Sequence, residues 1–131
     1  MKPEDHMKAF EELKETLLEW AIKARGADRA QRIIGLTASR AIIELLSIYL
    51  HETRRLDIGG SINHRWLSSI KQAERNIPLF PEKERILPKM VELENACTNL
   101  AYGGPQRSED VKLAIKLFQE LERAIENMLK K

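Results

Sequence analysis

Residues 28–55, DRAQRIIGLTASRAIIELLSIYLHETRR, decide how the rest of the chain must be arranged. Ile33, Ile34, Leu36, Ala41, Ile42, Ile43, Leu45, Leu46, Ile48, Tyr49 and Leu50 crowd into this one segment, so a helix built from it is apolar nearly all round. A helix of that kind belongs in the interior, covered on several sides by others. Arg40, Glu44, Ser47 and His51 interrupt it at steps of three or four and draw a single narrow polar line along the rod.

The flanking sequence supplies the covering helices. On the N-terminal side, Pro3 followed by Glu4 and Asp5 suits a first helical turn. Met7, Phe10, Leu13, Leu17, Ala21 and Ala24 then continue an amphipathic stripe to about residue 25. Gly26 stops that helix and Asp28 is expected to cap the central one, so the two run antiparallel. Gly35, inside the central helix, costs it about 1 kcal/mol relative to alanine and implies the close approach of a neighbour.

On the C-terminal side Asp57, Gly59, Gly60 and Ser61 break the chain, and Asn63 is placed to cap a short helix carrying Trp66, Leu67, Ile70 and Ala73. Pro78 and Pro81 bracket Leu79 and Phe80, which are expected to pin the loop onto the core. A helix from about residue 82 carries Ile86, Leu87, Met90, Val91, Leu93, Ala96, Cys97 and Leu100, with Pro88 as a kink. Gly103, Gly104 and Pro105 end it. Ser108 opens the last helix, whose stripe of Val111, Ala114, Ile115, Phe118, Leu121, Ile125, Met128 and Leu129 is the cleanest in the chain. The expectation is an all-α fold: one domain over residues 1–131, an up-and-down bundle of four long helices and one short one.

Composition agrees. Aromatics are only 5% against 32% charged residues, a helix-forming vocabulary with little strand vocabulary beside it. Twenty-two Lys and Arg against 20 Asp and Glu leave a formal charge of +2, so any basic surface must come from clustering. Cys97 is the only cysteine, which excludes an internal disulfide and a multi-cysteine metal site and points to a reducing compartment. Its place on an apolar stripe marks a buried, inert thiol. His6, His51 and His64 lack ligand spacing, and no phosphate-cradling or dinucleotide-binding glycine motif occurs, so neither metal nor cofactor is expected. A charged N-terminus and the charges at Arg40 and Glu44 argue against a signal peptide and a membrane span, giving a cytoplasmic expectation.

Two constellations could carry chemistry. Arg40 and Glu44 can pair at i, i+4 as a structural ion pair at the core's edge or on a dimer face. Alternatively the whole line lines a polar pocket, with His51 as an acid or base near neutral pH and its partner brought by another helix. The second constellation, Asn63, His64, Arg65 and Trp66, sits at a helix start. There Asn63 caps and Trp66 packs, while His64 and Arg65 are either solvated or, with Arg54 and Arg55 nearby, receive an anion at the helix N-terminus.

The helix order, the apolar central helix, the proline-flanked loop and the segment Glu94-Asn95-Ala96-Cys97-Thr98-Asn99-Leu100-Ala101-Tyr102-Gly103 resemble the HEPN superfamily of small helical bundles. Many of its members are ribonucleases that use an arginine followed a few residues later by a histidine near the end of the penultimate helix. Others act as partners of nucleotidyltransferases or as binding modules. In the matching window of this chain Cys97 and Tyr102 stand at those two places. Cysteine cannot clamp a phosphate as guanidinium does, and a tyrosine is a poor base at neutral pH. Arg75 and Asn76 look like the opening of the motif, but no histidine follows. The resemblance therefore implies a non-catalytic, homodimeric interaction or regulatory protein, a partner for a nucleotidyltransferase-like protein. Its old cleft is retained as a binding surface of Arg40, Glu44, His51, Glu94, Asn95 and Tyr102. The alternative is an RNA-processing or nucleotide-binding protein with a rearranged site on His51 or His64 with Arg40 or Arg65.

Overall fold

A computed structural model describes residues 2–57 and 59–131. Among them the fold is all-α, with no strand. Five α-helices follow in order: α1 (Pro3–Glu15), α2 (Gln31–Glu52), α3 (Ile70–Asn76), α4 (Lys83–Tyr102) and α5 (Ser108–Leu129). Helix α2 is the hub. It packs against α1, α4 and α5, while α4 and α5 also pack on one another. Fourteen of its 22 residues are buried, which is why one covering helix would not suffice.

Helix α1 starts with Pro3 and two acids as expected, but it does not keep one winding to residue 25. From Thr16 to Arg25 the backbone is π-helical. Leu17 and Ala21 stay inward through this wider stretch, while Trp20 is exposed. The expected stripe needs two changes. Met7 and Ala24 face out, and His6, one position before Met7, is buried with Phe10. Gly26, with a φ of 94°, then turns the chain. A 3-10 turn, Ala27–Ala30, leads into α2, closed by bonds from the Arg29 and Ala30 amides to the Gly26 carbonyl. Asp28 lies within that turn and caps nothing, because the helical run already begins at the glycine. Left-handed Arg54, at φ 59°, ends α2.

By length and hydropathy the segment Ala27–Glu52 could cross a membrane, but 72% of its most apolar 18-residue window is buried inside the fold, as in the core helix of a bundle. Beyond it, Asn63 does cap, its Oδ1 accepting from the Arg65 amide at 2.9 Å. The helix it opens is only a 3-10 turn, His64–Ser68. Ser69 is extended and restarts the chain as α3 by accepting from the Gln72 amide. That break turns Ile70 outward. In the proline-flanked loop Phe80 is buried edge-on to Tyr49, whereas Leu79 points to solvent and offers only its carbonyl, to Arg55 Nε. Pro88 lies within α4 without ending it.

The tightest contact is between α2 and α4. A Cβ added at Gly35 would lie 2.6 Å from both the Ala101 nitrogen and the Cys97 oxygen, backbone atoms that cannot swing aside. Gly35→Ala should therefore destabilise the fold by about 1–3 kcal/mol despite alanine's better helix propensity. A urea melt measures this, and a raised midpoint would show that the helices can part at no cost.

Candidate functional site

The polar line on α2 is drawn into contacts with its neighbours rather than with itself. Arg40 is exposed and makes no ion pair among the described residues, so the expected Arg40–Glu44 pair does not form. Glu44 turns to α1 instead, its Oε2 accepting from His6 Nδ1 at 2.5 Å. About two turns further along α2, the His51 ring lies 5.0 Å from that of His6, tilted by 30°. His51 Nε2 donates to the Gly60 carbonyl at 3.0 Å. Ser47, between them, bonds back to the Ile43 carbonyl of its own helix and takes no part.

These contacts fix the tautomers. A carboxylate can only accept, so His6 carries its proton on Nδ1, and a carbonyl can only accept, so His51 carries its proton on Nε2. The remaining nitrogens, His6 Nε2 and His51 Nδ1, are both buried without a partner. His6 is 1% exposed and His51 8%, so a substrate meets neither ring edge. The triad is a tie between α1, α2 and the loop at Gly60. It resembles a catalytic dyad in its donor and acceptor order and differs from one in having no access.

A second tie lies on the opposite flank of α2. Ser39 Oγ donates to Glu94 Oε1 at 2.7 Å, and the other carboxylate oxygen faces His64 Nδ1 at 3.6 Å. Glu94 thus links α2, α4 and the turn at His64. Next to it, burial pushes the Cys97 thiol up to about 12; a hydrogen bond at Ser39 opposes the shift without overcoming it, Glu94 adds to it and Arg40 offsets it slightly. The thiol is protonated at neutral pH and is no nucleophile.

The six residues of the expected cleft are therefore divided. Glu44 and His51 meet through His6, and Glu94 joins Ser39 and His64. Arg40, Asn95 and Tyr102 are exposed, Asn95 at the edge of a shallow cavity of about 240 Å³ against α5. At the expected anion site, Arg65 is exposed, but its amide is already held by Asn63 and the His64 ring faces Glu94. No group of three or more metal-ligating side chains is assembled among the described residues.

The residue that sequence reading missed is His6. Its signal was present: it stands four positions before Phe10 and so shares the face that α1 buries. Compared with models of protein families, with characterised proteins and with solved structures, the chain matches none.

Two outcomes check this geometry. His6→Ala leaves Glu44 without its partner and opens a cavity, so it should cost about 2–4 kcal/mol. A double-mutant cycle with Glu44→Ala should show coupling of about 1–3 kcal/mol, and additive losses would refute the tie. The Cys97 thiol should resist iodoacetamide in the folded protein and react on unfolding. Because its folded pKa is raised, it stabilises the fold below its ordinary value of 9.0, and that contribution falls away as pH rises towards about 12. Cys97→Ala should remove this part of the alkaline loss.

Proposed function

We propose that the chain is a non-catalytic helical interaction protein that acts as a homodimer. What supports this is the contrast between sealed histidines and unsealed apolar side chains. Gly35 and Ser39 face α4, while Glu44 and His51 face α1. Successive residues turn by about 100°, so Leu36 and Arg40 fall on the strip of α2 between those two neighbours. Leu36 is 51% exposed there. Gly35 opposes Ala101, which puts Tyr102 at the same end of the molecule, and Gly26 brings the end of the π-helical stretch, with Trp20, to that end as well. Trp20 is 64% and Tyr102 74% exposed. Large aromatics with a polar tip are the side chains most often used as interface anchors.

The HEPN resemblance adds the kind of partner. Members that lack the arginine and histidine of the nuclease motif act as partners of nucleotidyltransferases or as binding modules, and a regulatory role beside a nucleotidyltransferase-like protein is the extension of this proposal. The competing reading, an RNA-processing or nucleotide-binding protein using His51 or His64, is opposed at His51 by its burial, while His64 stays partly exposed with Glu94 near its Nδ1.

Light scattering on the purified protein should give twice the 15.1 kDa chain mass. Leu36→Glu and Trp20→Glu, both at exposed positions, should shift it to monomer with the fold retained. A monomer at every concentration, or dimers indifferent to both substitutions, would overturn the proposal. Labelled RNA should survive incubation, and cleavage abolished by His51→Ala or His64→Ala would favour the competing reading.

A further inference from the structure

The contacts of His6 and His51 occupy only one nitrogen of each ring. His6 Nε2 and His51 Nδ1 are shut away from solvent and meet no hydrogen-bond partner among the described residues. Both side chains are more than nine-tenths buried, one on the inner face of α1 and the other near the end of α2. Burying a nitrogen lone pair unpaired costs free energy, and the tie between α1 and α2 does not require it. Two such nitrogens on neighbouring rings call for an occupant that accepts lone pairs.

The bonds already made limit where those lone pairs point. The two nitrogens of an imidazole face widely different directions. His6 Nδ1 is turned to Glu44, so Nε2 lies on the ring edge away from that carboxylate. His51 Nε2 is turned to the Gly60 carbonyl, so Nδ1 lies on the edge away from that loop. Ser47 stands one turn before His51, and its hydroxyl donates to the Ile43 carbonyl, which leaves its own lone pairs uncommitted.

We propose that His6 Nε2 and His51 Nδ1 converge on one metal ion of the zinc class, held between α1 and α2. The second shell fits. A histidine that binds a metal through one nitrogen characteristically donates from the other to a carboxylate or a backbone carbonyl, and these two rings have one of each. The spacing fits as well. Two imidazoles at about 2.0–2.1 Å from a tetrahedral ion place their ring centroids about 5 Å apart, against more than about 6 Å for a linear ion such as Cu+. The observed 5.0 Å selects the tetrahedral arrangement. Glu44 brings negative charge to offset the cation in a buried place. Imidazole ligands suit zinc, whereas Mg2+ and Ca2+ take oxygen. Two protein nitrogens are fewer than a closed zinc site uses, so the Ser47 hydroxyl or water completes the set and a chelator removes the ion. A single water donating to both nitrogens is the competing occupant. The site lies inside one chain and does not depend on self-association.

Titration of the intact protein with Co2+ and Zn2+, after EDTA treatment and dialysis, tests this. Co2+ should give the intense visible absorption of a tetrahedral ion, saturating at one equivalent. Zn2+ should displace it and raise the thermal unfolding midpoint, and Mg2+ should do neither. His6→Gln and His51→Gln should each abolish the band, His64→Gln should leave it, and Glu44→Gln should weaken binding roughly tenfold. In the unsubstituted protein, one equivalent of Zn2+ should move the NMR signals of His6 Nε2 and His51 Nδ1 and spare those of His64, a readout that needs no variant to fold. A band that survives both histidine substitutions, or ring-nitrogen signals and an unfolding midpoint unmoved by Zn2+, would overturn the assignment. The second of these results would give the place between the rings to water.

Discussion

The breadth of α2's apolar surface is the constraint on which the rest of the molecule depends. A helix with 14 of 22 residues buried leaves solvent only a narrow strip, Arg32, Leu36 and Arg40, and three other helices close around the rest. Full burial of each large aliphatic side chain contributes about 1.5–3 kcal/mol, so the helices that cover Ile34, Ile42, Leu45, Leu46 and Leu50 are held firmly. The cost falls on whatever polar groups the sequence places along the same rod. Each must find a partner on a neighbouring helix or reach water.

The structure uses both solutions. Arg40 reaches water. Ser39 and Glu44, one on each flank, become the points where α2 is tied to α4 and to α1, and His51 is tied to the loop at Gly60. Polar ties of this kind add little net stability, but breaking one partner leaves the other desolvated, so they penalise a slip of one helix along another. The Gly35 contact does the same by steric means, since only a glycine at that level lets α4 come so close.

How much of this was legible in the sequence differs with the physics involved. Helix number and order followed from apolar spacing, because burial against neighbours imposes that spacing. Asn63, Gly26 and the Gly103-Gly104-Pro105 break were readable as local turn chemistry. The π winding over Thr16–Arg25 was not, as its apolar spacing also fits an ordinary α-helix. Nor was the outward turn of Ile70, which depends on Ser69 interrupting the helix. For the site, Glu44 and His51 stood out as polar residues in an apolar rod. Their partner could not be named from that helix alone, and the nearer pairing with Arg40 was the wrong one. Ser39 with Glu94, and Gln31 with Gln106, join residues more than fifty positions apart and leave no local trace.

The account stands on His6 and His51 being buried and tied, one to Glu44 and the other to the Gly60 carbonyl, as part of the fold. Long-range proton–nitrogen NMR correlations read that state directly. The prediction is a proton on Nδ1 of His6 and on Nε2 of His51, both protected from exchange with water, while the half-exposed His64 ring exchanges rapidly. Rapid exchange at His6 and His51, or the opposite tautomers, would contradict it and return the line to the status of an open site.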